Sequence, residues 1–210
     1  GKIAKLPSEG DAPYAIMVYA AMLPWQFFAS AVQESSNSLV ANNHLISKVY
    51  FPRMIIPSSS IITGIIDFIV SFLILFILML YYQFYPTWLI LMVPLFLLIA
   101  LITSLGFGLF IASLNVKFRD FQYVIPFIIQ FGLYISPVGF SSTIIPEQYR
   151  LIYSINPMVG VIDGFRWAII GEQSIPYWPG FSLSIVVMFF SLWLGIRTFR
   201  KMEKTFADMI

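Results

Sequence analysis

The chain offers little material for chemistry carried out by side chains. Its 210 residues include no cysteine and one histidine, His44, which lies in the polar sequence ANNHLIS. A metal site needs several such ligands, and covalent catalysis needs a nucleophile beside a base. The HExxH and Gly-x-Ser-x-Gly sequences of hydrolases are also absent. We therefore expect no catalytic residue and no metal site, and we interpret His44 as a solvated loop residue.

The sequence also lacks a loop for binding nucleotide phosphates. Its only Gly-Lys pair is Gly1 and Lys2, so a Walker A sequence is missing. If ATP powers this protein, a separate polypeptide must bind the ATP and its magnesium ion. We expect no cofactor in this chain.

The composition is that of a membrane protein with several spans. Hydrophobic residues make up 59% of the chain and charged residues 10%, against about 25% charged residues in an ordinary soluble domain. A transmembrane helix needs about 20 mostly apolar residues. We predict an all-α polytopic fold in a single transmembrane domain, 1–210, with five spans at about 14–33, 56–82, 88–114, 121–138 and 177–197.

The segment 139–172 is apolar but does not pass the same length test. Its charges, among them Asp163 and Arg166, leave no uncharged run longer than 12 residues, and a charge at mid-bilayer costs about 2.5 to 3.5 kcal/mol. We predict a re-entrant or interfacial segment on the outer side, which includes Asn156 and Pro157; the alternative is an extramembrane loop. Asp163 and Arg166 are three residues apart and can pair on one helix face.

Positive charges predict the orientation. One side of the membrane carries eight basic residues, which are Lys48, Arg53, Lys117, Arg119, Arg197, Arg200, Lys201 and Lys204. The other side carries four, which are Lys2, Lys5, Arg150 and Arg166. The positive-inside rule then places the tail, 198–210, in the cytoplasm. Five spans would leave residue 1 outside, although the first residues, GKIAKLPSEGD, contain no apolar signal segment to carry them across. We therefore expect that an N-terminal first span is missing and that the full subunit has six.

Three groups of residues in the spans form patterns at helical spacing. Ser60, Thr63 and Asp67 share a face that is either a packing seam or a wall of a translocation path. Small residues at every fourth position, Ala100, Ser104, Gly108 and Ala112, predict close helix packing. Aromatic residues could line a conduit for a long polymer or could pack against lipid and other helices; they are Trp25, Phe28, Tyr123, Phe127, Phe131 and Tyr134.

Two short loops face the predicted cytoplasmic side. The first, at 43–53, is an amphipathic element that could present apolar and basic groups to a partner or could touch lipid alone. Its candidate contact residues are Leu45, Lys48, Val49, Tyr50, Phe51 and Arg53. The second, LNVKFRDFQYVIP, is a tight turn between two spans that contains Lys117, Arg119 and Asp120.

The predicted spans, the two loops and the outer segment together resemble the permease subunit of ABC type-2 transporters, most closely the branch that exports O-antigen and teichoic acid. The resemblance covers nearly the whole chain and is carried by SKVYFPRMIIP, by LNVKFRDFQYVIPFIIQFGLYISPVGF and by the stretch from Pro146 through NPM to FRWAIIG.

The resemblance implies a polysaccharide exporter in the bacterial cytoplasmic membrane. Two permease copies would form the path for a lipid-linked glycan and two ABC ATPase subunits would drive it, with 43–53 as the coupling helix. Two short re-entrant helices would lie on the outer side. Besides membrane lipid no other partner is implied, and no nucleic acid is expected. A secondary transporter or channel for a smaller polar solute is the alternative, although such a protein should carry more ionisable groups in its spans than Asp67.

Overall fold

A computed structural model describes residues 12–48, 51–118, 120–171 and 174–206, without the side chains of 46–48 and 205. These residues form helices and no strand. The helices are α1 Tyr14–Ala41, α2 Asn43–Lys48, α3 Ile55–Tyr81, α4 Val93–Lys117, α5 Phe121–Ile135, α6 Glu147–Tyr153, α7 Pro157–Ile170 and α8 Trp178–Met202. Short 3₁₀ turns lie at Trp88–Met92, Ser142–Ile144 and Glu203–Thr205.

Four of the described helical segments are long and apolar enough to cross a membrane. They are Tyr14–Ala41, Ile55–Tyr81, Trp88–Lys117 and Trp178–Met202, while Phe121–Ile135 is a shorter apolar helix. The prediction of an all-α polytopic membrane protein is confirmed. The short helix corresponds to the predicted span 121–138, and its 15 residues measure about 22 Å against a hydrocarbon core of about 30 Å.

The early end of α5 has a local cause. Ser136 precedes Pro137, and a residue before proline is driven out of the helical region by the proline ring. Ser136 accordingly has φ −81° and ψ 152°, an extended conformation. The apolar pattern continues past this point, which is why the sequence suggested a longer span.

Helix α1 continues past the predicted span 14–33 and past the first charge, Glu34, into a stretch with three serines, Ser35, Ser36 and Ser38. The hydroxyl of Ser36 donates to the carbonyl of Gln33 at 2.7 Å, and that of Ser38 donates to the carbonyl of Ser35 at 2.7 Å. Both hydroxyls are thus satisfied within the helix, so these residues can be buried. The amide of Asn115 on α4 donates to the carbonyl of Ser36 at 2.9 Å and joins the two helices.

The bundle is organised around α4, which packs against α8 on one side and α1 on another. The predicted small-residue stripe, Ala100, Ser104, Gly108 and Ala112, is fully packed, and Gly108 lies against Ser35 of α1. The prediction of a packing role for this stripe is confirmed. Because α1 also packs against α3, the order across the bundle is α8, α4, α1 and α3.

Helices α4 and α8 cross with their backbones in contact at Gly106 and Gly195. A Cβ atom added at Gly195 would lie 2.3 Å from the carbonyl oxygen of Gly106, and one added at Gly106 would lie 2.6 Å from the backbone nitrogen of Leu192. Backbone atoms cannot rotate away as a side chain can. The crossing therefore requires glycine at both positions.

We predict that Gly195→Ala lowers the stability of the purified protein by about 1 to 3 kcal/mol, because the added methyl group must separate the two helices. Gly139→Ala is the matched control, since a Cβ there would meet no atom within 4 Å. The measurement is the thermal unfolding midpoint in detergent. Equal midpoints for the two variants would contradict the close crossing.

Candidate functional site

The segment that returns from α5 to the bundle contains the most buried helix, α7. Thirteen of its 14 residues are buried, and it packs against α1, α4 and α8. Phe165 at its centre is fully buried, with ring centroids 5.8 Å from Phe68 of α3 and 6.3 Å from Phe96 of α4. Lipid therefore has almost no access to α7, which fills the interior of one end of the bundle.

The ends of α7 are specified by its sequence. Asn156 precedes the helix, and its side-chain oxygen accepts a hydrogen bond from the backbone N–H of Met158 at 3.1 Å. Pro157 occupies the first turn, where its missing N–H costs nothing. Gly171 ends the helix with φ +92°, a conformation that favours glycine.

Arg166 holds the irregular backbone that follows α5. The side chain is 0% exposed, and its two terminal nitrogens donate to the carbonyl of Phe140 at 2.8 Å and to that of Val138 at 3.0 Å. Asp163, one turn earlier, is 8% exposed. Pairing of Asp163 with Arg166 stays a prediction, whereas the use of Arg166 as a clamp for carbonyl groups was not predicted.

Two tyrosines also donate hydrogen bonds to carbonyls at the end of α5 and in the backbone that follows it. Tyr153 at the end of α6 donates to the carbonyl of Ile135 at 2.6 Å, and Tyr14 at the start of α1 donates to that of Gly139 at 3.2 Å. Burial, and to a smaller extent the Asp163 carboxylate, raises the pKa of Tyr153 above its ordinary value, so the hydroxyl keeps its proton. No local sequence signal links Tyr14 to a residue 125 positions later, so sequence reasoning could not find this contact.

An apolar cavity of about 390 Å³ lies between α1, α4 and α5. Four of the predicted path residues, Trp25, Phe28, Phe127 and Phe131, line it together. The aromatic rings contact one another: Trp25 and Phe28 have centroids 5.6 Å apart, and Phe127 and Phe131 have centroids 4.5 Å apart. The structure therefore brings part of the predicted aromatic group into one concave surface.

The cavity depends on residues that the sequence did not single out. Gly132 lets the ring of Trp25 lie against α5, since a Cβ there would be 2.7 Å from that ring. Phe107 and Ile111 contribute a wall from α4. Asn156 is the polar side chain in the lining that can be both donor and acceptor, and its amide donates to the hydroxyl of Ser136 at 2.9 Å.

The remaining predicted path residues lie outside this lining. Tyr123 and Tyr134 are exposed on α5, at 75% and 72% of their surface.

The predicted polar residues of α3 also lie outside the cavity lining: Thr63 and Asp67 are exposed and Ser60 is half-buried. The hydroxyls of Ser60 and Thr63 donate to carbonyls of their own helix. In the single chain the polar face of α3 thus lies on the outer surface, away from the cavity.

The predicted coupling residues that the structure describes lie at the other end of the bundle. Leu45 of α2 is exposed, while Phe51 packs against a cluster that includes Phe199 and Phe206. The guanidinium of Arg53 donates to the carbonyl of Glu203 and so joins the start of α3 to the end of α8.

Some predicted residues lie outside the described part of the chain: the side chain of Lys48, the whole of Val49 and Tyr50, and Arg119 in the second loop. Lys117 and Asp120, the other two predicted residues of that loop, are exposed.

Within the described ranges no three His, Asp or Glu side chains are close enough together to hold a metal ion. The chemistry that the cavity supports is binding by aromatic and aliphatic surface. Such a surface suits sugar faces and hydrocarbon chains.

A bundle of membrane-length helices around a buried return helix defines a multi-pass membrane protein. A sequence model of the ABC-2 type transporter family matches residues 3–170, and the chain belongs to that family. The resemblance inferred from the sequence is confirmed, and the protein is a transport subunit by family.

Three relatives are similar in sequence to this chain over most of its length. The O-antigen export system permease protein RfbA of Myxococcus xanthus is 28% identical over 199 residues, covering 94% of this chain and 76% of the relative. Two proteins of the same name from Klebsiella pneumoniae are 28% and 27% identical over 205 residues, with the same coverage.

We predict that Arg166→Met destabilises the protein by about 3 to 5 kcal/mol, because it leaves buried carbonyl groups without a donor. Arg150→Met is the matched control: Arg150 also donates to two carbonyls, those of Ile145 at 2.9 Å and Thr143 at 3.0 Å, but it is only half-buried. Its loss should cost about 1 kcal/mol. Chemical unfolding in detergent gives both values, and similar losses would show that burial of Arg166 is not the cause.

Proposed function

We propose that this chain is the membrane subunit of an ATP-driven exporter that moves a lipid-linked polysaccharide, such as O-antigen, across the bacterial cytoplasmic membrane. The observation that carries the proposal is the aromatic cavity between α1, α4 and α5, in a chain of the ABC-2 family. The names of the relatives from Myxococcus xanthus and Klebsiella pneumoniae support O-antigen as the substrate class.

The proposed transport unit contains two copies of the chain and two ABC ATPase subunits, which bind ATP and magnesium. Helix α5 supports the pairing of copies, because Ile125 is its one buried residue and Phe127 and Phe131 are exposed beside the cavity. A second copy facing α5 would enclose the cavity and convert it into a path. The exposed carboxylate of Asp67 on α3 likewise needs protein or water beside it rather than lipid.

The proposed coupling uses the hydrogen bond between Arg53 and Glu203. A movement of the ATPase subunits against 43–53 would reach α3 directly and α8 through this bond. ATP can shift the permease between states only if the ATPase contacts differ between those states. With the C-terminal tail in the cytoplasm, as the positive charges predict, this end of the bundle faces the ATPase.

We predict that Phe127→Ala combined with Phe131→Ala lowers export at least about threefold, because each aromatic contact with a ligand contributes about 0.5 to 1.5 kcal/mol. Tyr123→Ala combined with Tyr134→Ala is the control, since it removes two exposed rings from the same helix without changing the cavity lining. The measurement is glycan at the cell surface in cells that lack their own permease, normalised to the amount of permease in the membrane. Equal export by both double variants would exclude the cavity as the path.

We predict that Leu45→Asp reduces stimulation of the ATPase subunit and export by about tenfold, because a charge replaces an apolar contact with the partner. Leu45 is 49% exposed, so the folded permease tolerates the change. A loss of about 1.4 kcal/mol of binding free energy between the permease and the ATPase subunit corresponds to a factor of ten. Leu45→Met is the control, because it keeps an apolar side chain.

The coupling experiment requires a variant that affects ATPase contact and not the fold. Charge reversal at Arg53 or Phe51→Asp would disturb the bond to Glu203 or the cluster around Phe199 as well. Unchanged thermal unfolding of Leu45→Asp separates the two effects. Normal ATPase stimulation by that variant would contradict a coupling role for α2.

A further inference from the structure

A second cavity, of about 550 Å³, lies between the ends of α4 and α8 and shares no lining residue with the aromatic cavity. Among the residues that the structure describes, its lining contains three cationic side chains, Lys117 from α4 and Arg197 and Lys201 from α8, and no acidic side chain. Each of the two helix C-termini contributes about half a negative charge. The three cations exceed this, so the cavity has a net positive charge of about two and attracts anions.

Two of the three cations lie beside aromatic rings. The Arg197 guanidinium lies 5.0 Å from the centre of the Trp193 ring, and the Lys117 ammonium lies 5.1 Å from that of Phe118. In the described part of the chain these three cationic side chains form no hydrogen bond or ion pair. Their N–H donors therefore remain available to a ligand with several acceptor oxygens.

The position of the cavity along α8 favours a ligand at the membrane surface. The helix rises about 1.5 Å per residue, so Arg197 lies about 29 Å along α8 from Trp178. This distance equals the thickness of the hydrocarbon core, about 30 Å. If Trp178 marks one membrane interface, Arg197 lies at the other, at the level of the lipid headgroups.

One face of α8 changes from apolar to cationic at this level. Phe189, Trp193, Arg197 and Lys201 follow one another at intervals of four residues and therefore share a helix face. Phe189 and Trp193 are exposed large apolar side chains. An acyl chain would lie along them while a phosphate reaches the two cations and Lys117, so the ligand that fits is amphipathic and anionic.

We infer that the cavity between α4 and α8 binds the phosphate headgroup of an anionic phospholipid from the leaflet that surrounds these helix ends. Basic cavities between transmembrane helices suit such headgroups, since each basic residue near an anionic surface contributes about 1 kcal/mol. A soluble anion would use the cations but not the apolar face above them.

The test measures which lipids remain bound to the purified protein. Protein in detergent is given equal amounts of phosphatidylglycerol and phosphatidylcholine, and native mass spectrometry counts the lipids retained. We expect wild type to retain phosphatidylglycerol preferentially. Arg197→Gln combined with Lys201→Gln should reduce that preference at least about tenfold, and Lys117→Gln alone should reduce it about fivefold.

The control removes two charges from the same end of α8 without changing the cavity. Arg200→Gln combined with Lys204→Gln alters exposed residues outside the lining, and we expect less than about a twofold change in lipid preference. Equal losses in the two double variants would show diffuse attraction and overturn the proposal. Thermal unfolding supplies a second measurement: phosphatidylglycerol should raise the midpoint of wild type and the control but not that of the cavity variant.

Two further results would also overturn the proposal. Displacement of phosphatidylglycerol by inorganic phosphate would show that the cavity recognises a free anion. Loss of ATPase-subunit binding by the Arg197 and Lys201 double variant, with unchanged lipid preference, would show that the cavity is a protein contact. Failure of the proposed export function leaves this experiment unaffected, because lipid retention is measured without transport.

Discussion

Inside a membrane protein, a backbone carbonyl outside a helix must accept a hydrogen bond from protein or water. The chain between α5 and α6 leaves the helix at Ser136 and continues as irregular backbone. Arg166, Tyr153 and Tyr14 donate to four carbonyls here: that of Ile135 at the end of α5 and those of Val138, Gly139 and Phe140 beyond it. The three donors come from α7, α6 and α1, so three helices contribute to holding this short irregular segment.

Much of the remaining architecture follows from that requirement. Arg166 reaches Val138 and Phe140 because α7 is buried among α1, α4 and α8, with Phe165 packed against Phe68 and Phe96. The buried position of α7 also places Asn156 at the cavity, where it caps the helix and binds Ser136. The start of α7 and the end of α5 are thus joined through Asn156 and Ser136 beside the cavity.

Apolar runs and charges in the sequence were sufficient to predict the helical membrane class, and the motifs were sufficient to identify the family. The end of α5 was predicted three residues too late, because apolar composition does not report the effect of Pro137 on Ser136. The aromatic pattern on α5 could not show that Gly132 admits Trp25 to a cavity while Tyr123 and Tyr134 stay outside it. Contacts such as Tyr14 with Gly139 depend on the folded chain and have no local signature.

The crossing of α4 and α8 has a mechanical consequence. At Gly106 and Gly195 the two helices touch through backbone atoms, so there is no side-chain rotamer that could change to let one helix slide along the other. Helix α5, with Ile125 as its single buried residue, has no comparable constraint. The subunit therefore joins a closely packed pair, α4 with α8, to a loosely packed helix, and displacement of α5 would widen the aromatic cavity without separating that pair.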